Sequence, residues 1–179
     1  MGIPTLISTS TASNAASIDI TSGIDSTYDE YMFVFTDMNP VTDAMTFTFN
    51  MSIDGGSNYN VTKTDAAFIA RHSEDDGTET LGYSTADDKA QSTDYSELSV
   101  KGVGNGADQS CAGILHLFNP SSTTFVKHFY SRVVSYQEDS QATDGYCAGY
   151  GNTTSAVDAV SFQFTSGNMD GVIQMYGIA

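Results

Sequence analysis

The chain has no tryptophan, six lysines and arginines together, three histidines, three prolines and two cysteines. Each shortage excludes something. Six basic residues against 22 acidic ones give a formal charge of −16. That removes nucleic acid from the expected partners, because phosphate binding runs on Lys and Arg displacing counterions. It also opposes an anionic membrane surface. No apolar run approaches the ~20 residues of a membrane helix. No basic segment followed by an apolar stretch marks a secretion signal after Met1. Without tryptophan, any sugar-stacking platform would rest on tyrosine. Cys111 and Cys147 make no disulfide framework. They are expected as buried thiols of a protein assembled in a reducing cytoplasm, unless adjacent strands bring them together.

Catalytic patterns are equally scarce. His72, His116 and His128 form no His-x-x-x-His pair, and neither a P-loop nor a Gly-x-Ser-x-Gly elbow occurs. His116 and His128 are expected on the wet face of a sheet, near each other if their strands form a hairpin around Asn119-Pro120. Asp75-Asp76, Asp87-Asp88 and Glu138-Asp139 read as solvated loop charges. Nothing places two carboxylates across a cleft at glycosidase spacing. The 74–88 stretch is rich in hard oxygen ligands but lacks EF-hand spacing, which makes calcium a secondary reading. Tyr146 and Tyr150 are expected to pack against a neighbouring sheet, with a ligand-stacking role as the alternative. The expectation is a non-enzymatic protein with no catalytic, cofactor-binding or metal-ligating residues.

What the chain does have is strand patterning. Ten Phe, ten Tyr and 40% hydrophobic residues are enough for a core in 179 residues. Tyr31-Met-Phe-Val-Phe35 is apolar on both faces and reads as a central strand. Met45, Phe47, Phe49, Met51 and Ile53 alternate with Thr46, Thr48, Asn50, Ser52 and Asp54. That is the pattern of a strand with one core face and one wet face. Asp54-Gly-Gly-Ser-Asn58 is a hairpin signal, leading into a strand over 59–64. Ala66-Ala-Phe-Ile-Ala70 fits either a short strand or a helical turn. Residues 73–93 read as a long polar loop, of the kind that is functional or disordered. Strand patterns resume at 95–100 and run through 111–118, 125–136, 145–151, 156–164 and 171–177. A chain that closes on a strand pattern is expected to have that strand built into a sheet. The fold class is therefore all-β: an antiparallel β-sandwich, jelly-roll-like, with residues 1–15 as an extended Ser/Thr-rich N-terminal arm and 16–179 as a single domain.

Several segments also carry a resemblance. They are Leu117-Phe-Asn-Pro-Ser-Ser-Thr-Thr124 with Val126-Lys-His-Phe129 and Ser131-Arg-Val133; Ala148-Gly-Tyr-Gly-Asn-Thr-Thr-Ser-Ala156; Phe164-Thr-Ser-Gly-Asn168 with Met175-Tyr-Gly-Ile178; and, at the start, Thr11-Ala-Ser-Asn-Ala-Ala-Ser17 with Thr21-Ser-Gly-Ile-Asp-Ser-Thr-Tyr28. Together these resemble small virion proteins of tailed bacteriophages, especially marine ones, over most of the chain apart from 73–93. The motifs are structural, so no functional residue is carried over. The resemblance implies a capsid decoration (cement) protein on the outer surface of the virion head, assembled in the host cytoplasm. Its partners would be the major capsid protein and further copies of itself as a homotrimer, and neither nucleic acid nor membrane. A tail-associated fibre, knob or receptor-binding module is the alternative.

Overall fold

Alternation of buried and exposed residues runs through the chain, and it folds the sequence into strands that pair only with antiparallel neighbours. The computed structural model describes residues 2–179, and among them there are thirteen strands and no helix. They are β1 (Thr5–Ala15), β2 (Ile18–Ile20), β3 (Glu30–Pro40), β4 (Phe47–Ser52), β5 (Lys63–Ser73), β6 (Glu79–Tyr83), β7 (Lys89–Ser92), β8 (Ser96–Glu97), β9 (Cys111–Phe118), β10 (Lys127–Tyr136), β11 (Gln141–Gly151), β12 (Ala159–Phe164) and β13 (Met169–Ile178). Nine strands form one sheet in the order β1-β13-β3-β9-β10-β11-β5-β6, with β7 also on β5; four form a second, β2-β12-β4-β8. The result is an unequal antiparallel β-sandwich.

The core lies between the sheets. Phe162 of β12 is at its centre, with ring centroids 5.2–6.2 Å from those of Phe33, Phe35, Phe47 and Phe49. Phe49 meets Phe129 of β10 edge-on at 4.9 Å. These rings come from the alternating inward positions of β3, β4, β10 and β12, which is how two pleated faces fill the space between them. Tyr31, Phe33, Phe35, Leu115, Ile173 and Met175 complete the large-sheet side, all essentially solvent-free.

Several expectations change in the folded chain. Residues 5–15, read as an arm, are an edge strand paired along β13 of the same chain. The closing strand β13 is indeed inside the sheet, between β1 and β3. Residues 66–70 are strand, within β5. The 73–93 stretch is not one loop: it holds β6 and β7, which both fold back on β5. The strand expected over 59–64 begins only at Lys63, and the one over 95–100 shrinks to Ser96–Glu97.

The wet face assigned to β4 is dry. Thr48, Asn50 and Ser52 are buried, because the 53–62 and 93–95 segments lie over the outer side of the small sheet. Asn50 Nδ2 donates to the carbonyls of Tyr59 (2.7 Å) and Thr93 (2.9 Å).

Candidate functional site

The large sheet has a second face, and none of the described residues forms a layer over it. In register, its outward positions form rows across the strands. One row runs Tyr176, Met32, His116, Tyr130, Ala148, Ala66; the next runs Gln174, Val34, Ile114, Arg132, Tyr146, Phe68, Tyr83. A third holds Ala112, Val134, Asp144, Ala70 and Leu81. Leu81 is 78% exposed, Tyr83 57% and Val134 49%. Ala70, Ala112 and Ala142 floor a shallow trough of about 720 Å³, flanked by His72, Glu74, Val134, Tyr136 and Asp144.

The side chains of this face are held by one another. Phe68 stacks on Tyr146 with centroids 4.4 Å apart and planes 8° off parallel. The Arg132 guanidinium lies 5.2 Å from the centre of the Tyr146 ring. It also donates to both oxygens of Asp144, at 2.9 and 2.6 Å. His116 stacks on Tyr130 at 4.7 Å and is hydrogen-bonded through Nδ1 to Glu30. Cross-strand aromatic and ion pairs of this kind stiffen a sheet.

All three histidines belong to the outward positions of this sheet, but His116 is buried by its neighbours instead of wet. Tyr146 and Tyr150 lie on the same face and do not pack against the small sheet. The Tyr146 ring face meets Phe68 and Arg132, and Tyr150 makes a T-shaped contact with His128 at 6.3 Å.

A second cluster lies where β5, β7 and β8 meet. Asp65 is buried and accepts from Ser96 Oγ and, at 2.8 Å, from the Lys89 amide. Lys89 reaches Glu97 (3.4 Å) and Lys101 reaches Asp87 (3.1 Å). Burial, then a hydrogen bond to Asp87, pushes Glu97 up to about 7. Burial also acts to raise Asp87, but hydrogen bonds from Ser84, Glu97 and Lys101 outweigh it and hold that carboxyl below its usual range. Glu97 is therefore the member of the pair that keeps a proton. Burial likewise lowers Lys63 to about 8; its ammonium donates to Asn50 Oδ1 (2.6 Å) and the Val61 carbonyl (3.0 Å). Next to the cluster, Val100 adopts φ 60°, a strained conformation for a β-branched residue. It packs against Ala67 and Ile69, over Gly145, where a Cβ would come within 2.8 Å of it.

Asp87, expected as a solvated loop charge, is thus a buried ion-pair member; the chain folds the loop inward and Ser84 and Lys101 compensate it. The acids of 74–88 do not converge. Asp75 accepts from Ser73 Oγ and the Gly77 amide, while Asp88 accepts from Tyr83. No group of three His, Cys, Asp or Glu is placed to hold a metal among the described residues. Cys111 on β9 and Cys147 on β11 are free, buried thiols separated by β10 and offset by four residues in register, both pushed up by burial.

Sequence reasoning missed the buried charge cluster, since its members are scattered from 65 to 101 and only the back-folding of β7 and β8 joins them. It also missed the outer aromatic face, whose only sequence signal is the alternation of Tyr and Phe on the outward side of β5, β10 and β11. No family model matches this chain, and no curated protein or solved structure matches it.

Proposed function

We propose that this chain is a non-enzymatic structural protein of a tailed-bacteriophage virion, acting as a decoration (cement) protein on the outer surface of the head. The observation that carries the assembly role is the outer face of the large sheet: aromatic, open and held rigid by its own side chains, in a molecule whose carboxylates lie mostly in loops and at strand ends. Contiguous exposed apolar surface of this kind marks a protein contact. The resemblance of the 117–133, 148–156 and 164–178 segments to phage virion proteins supplies the setting. An acidic exterior has no conflict with packaged DNA when the protein sits outside the shell. The major capsid protein is its partner there, contacted through the β1 edge and the loops, where many weak contacts act together.

Gold-labelled antibody microscopy on intact virions tests this directly. Label spread over the head is the expected result, with shells lacking the protein more fragile to heat. Label confined to the tail would overturn decoration in favour of a tail-associated, receptor-binding part. Absence from the particle would overturn the virion reading altogether.

A further inference from the structure

We infer that the outer face of the large sheet is a self-pairing surface, covered in solution by the same face of a second copy of this chain. The inference rests on the reading of the chain as a protein that assembles, and not on its place in a virion.

Charge is the first argument. Outside the Asp37 bulge of β3, the outward positions of β3, β9, β10, β11, β5 and β6 hold three carboxylates, Glu30, Asp144 and Glu79, of 22 in the chain. Asp144 is paired with Arg132, and Glu30 is bonded to His116. Two molecules of charge −16 repel over most of their surfaces. Glu74 flanks the trough and Asp76 pairs with His72 at its rim, so meeting through this face places few carboxylates, though not none, between two copies.

Size is the second. Six strands at ~4.8 Å spacing, each about eight residues long at ~3.3 Å, span on the order of 800 Å². A stable interface takes about that much from each partner. Tyr130 and Val134 on the central β10, with Phe68, Leu81 and Tyr83 toward the β6 edge, supply exposed apolar surface for such an interface.

Ring orientation is the third, and it selects protein over carbohydrate. A sugar stacks on a free aromatic face. Here the faces are occupied: Tyr146 lies between Phe68 and Arg132, and Tyr130 lies against His116. What the rings offer outward is edges, which pack well against another side chain. A flat face meeting its own copy closes as a two-fold pair, residue i on j and j on i. It does not by itself build the trimer that the resemblance implies.

The test is sedimentation of the full chain over a range of concentrations, with circular dichroism as the control for folding. The wild type is expected at twice its 19.0 kDa chain mass. Val134→Glu and Tyr83→Glu each add a carboxylate without a partner to both halves of the interface, so each should weaken association by about tenfold or more with the fold intact. Ile53→Glu, at an exposed apolar position outside this face, should leave the dimer unchanged. A wild type that stays monomeric would overturn the inference. So would a dimer or trimer that survives both face substitutions. Pairing in solution without label on virions would refute the virion reading alone; label on virions with a monomer in solution would refute the pairing alone.

Discussion

Glu97 shows how much a single residue can decide and how little its letter reveals. In the sequence it sits within Tyr95-Ser-Glu-Leu-Ser-Val100, a polar position in an expected strand. Folded, it lies between Lys89 and Asp87 and keeps its proton up to about 7, against an ordinary value of 4.5. A carboxyl with a raised folded-state value binds a proton that the unfolded chain has already released. Its contribution to stability is therefore full below about 4.5 and is lost as pH rises through about 7. Melting temperature is expected to fall between about pH 4.5 and pH 7 in the wild type and to level off above that. In Glu97→Gln, which mimics the protonated acid, it should stay flatter, with a gap between the two of a few °C at the alkaline end, the scale of ~1 kcal/mol in a chain of this length. Parallel melting curves for the two proteins across that range would show that Glu97 does not carry the proton. Asn50 carries the same lesson from the other side. Its alternation with Phe49 and Met51 correctly announced a strand. Whether its polar face met water depended on the 53–62 and 93–95 segments, and alternation says nothing about what lies over a strand.

At the scale of elements, the legible parts were those with local causes. β3, β4, β9, β10 and β12 announce themselves through alternation or continuous apolar runs, and each is present in the fold. The edges were harder to read. Residues 5–15 carry Ser or Thr at six of eleven positions, so they lack the apolar alternation of a strand packed on a core, and they read as an arm. What makes them a strand is the backbone ladder with β13, helped by the buried Ala12 and the partly buried Ile7. This distinction has a consequence for the isolated protein. Deleting residues 1–15 strips β13 of a hydrogen-bonded neighbour and bares a long edge with no charged side chain except Asp170, a template for aggregation. The expected outcome is a melting temperature lower by several °C and increased light scattering on heating. A truncated protein that melts like the full chain would return the segment to the role of an arm that serves only a neighbouring subunit. β6 and β7 were hidden for a related reason: an exposed two-stranded flap with Glu79, Thr80 and Lys89 needs β5 beside it before its residues are strand at all.

Over the whole molecule the charge is lopsided, and that follows from the fold. The composition gives −16, but only the topology decides that few of those carboxylates point outward from the large sheet, while most line loops and strand ends. Loop carboxylates at this density repel one another in the folded state more than in an expanded chain. Screening should therefore stabilise the protein: raising NaCl from about 20 to about 500 mM shortens the Debye length from ~20 Å to ~4 Å and should raise the melting temperature. Calcium separates this general effect from a built site. The oxygens of Asp54 accept from Ser52 and Asn58, those of Asp75 from Ser73 and Gly77, and that of Asp87 from Ser84 and Lys101. The loop acids thus spend their lone pairs locally on hydroxyls, amides and ammonium groups instead of turning toward a shared point. Calcium needs six to eight oxygens converging on one centre. Titration with CaCl₂ is accordingly expected to raise the melting temperature gradually, without saturation and without a calorimetric binding step. A saturable transition would mean that the 73–93 loops rearrange around the ion, and the ordering of β6 and β7 would then have to be assigned to metal as well as to β5.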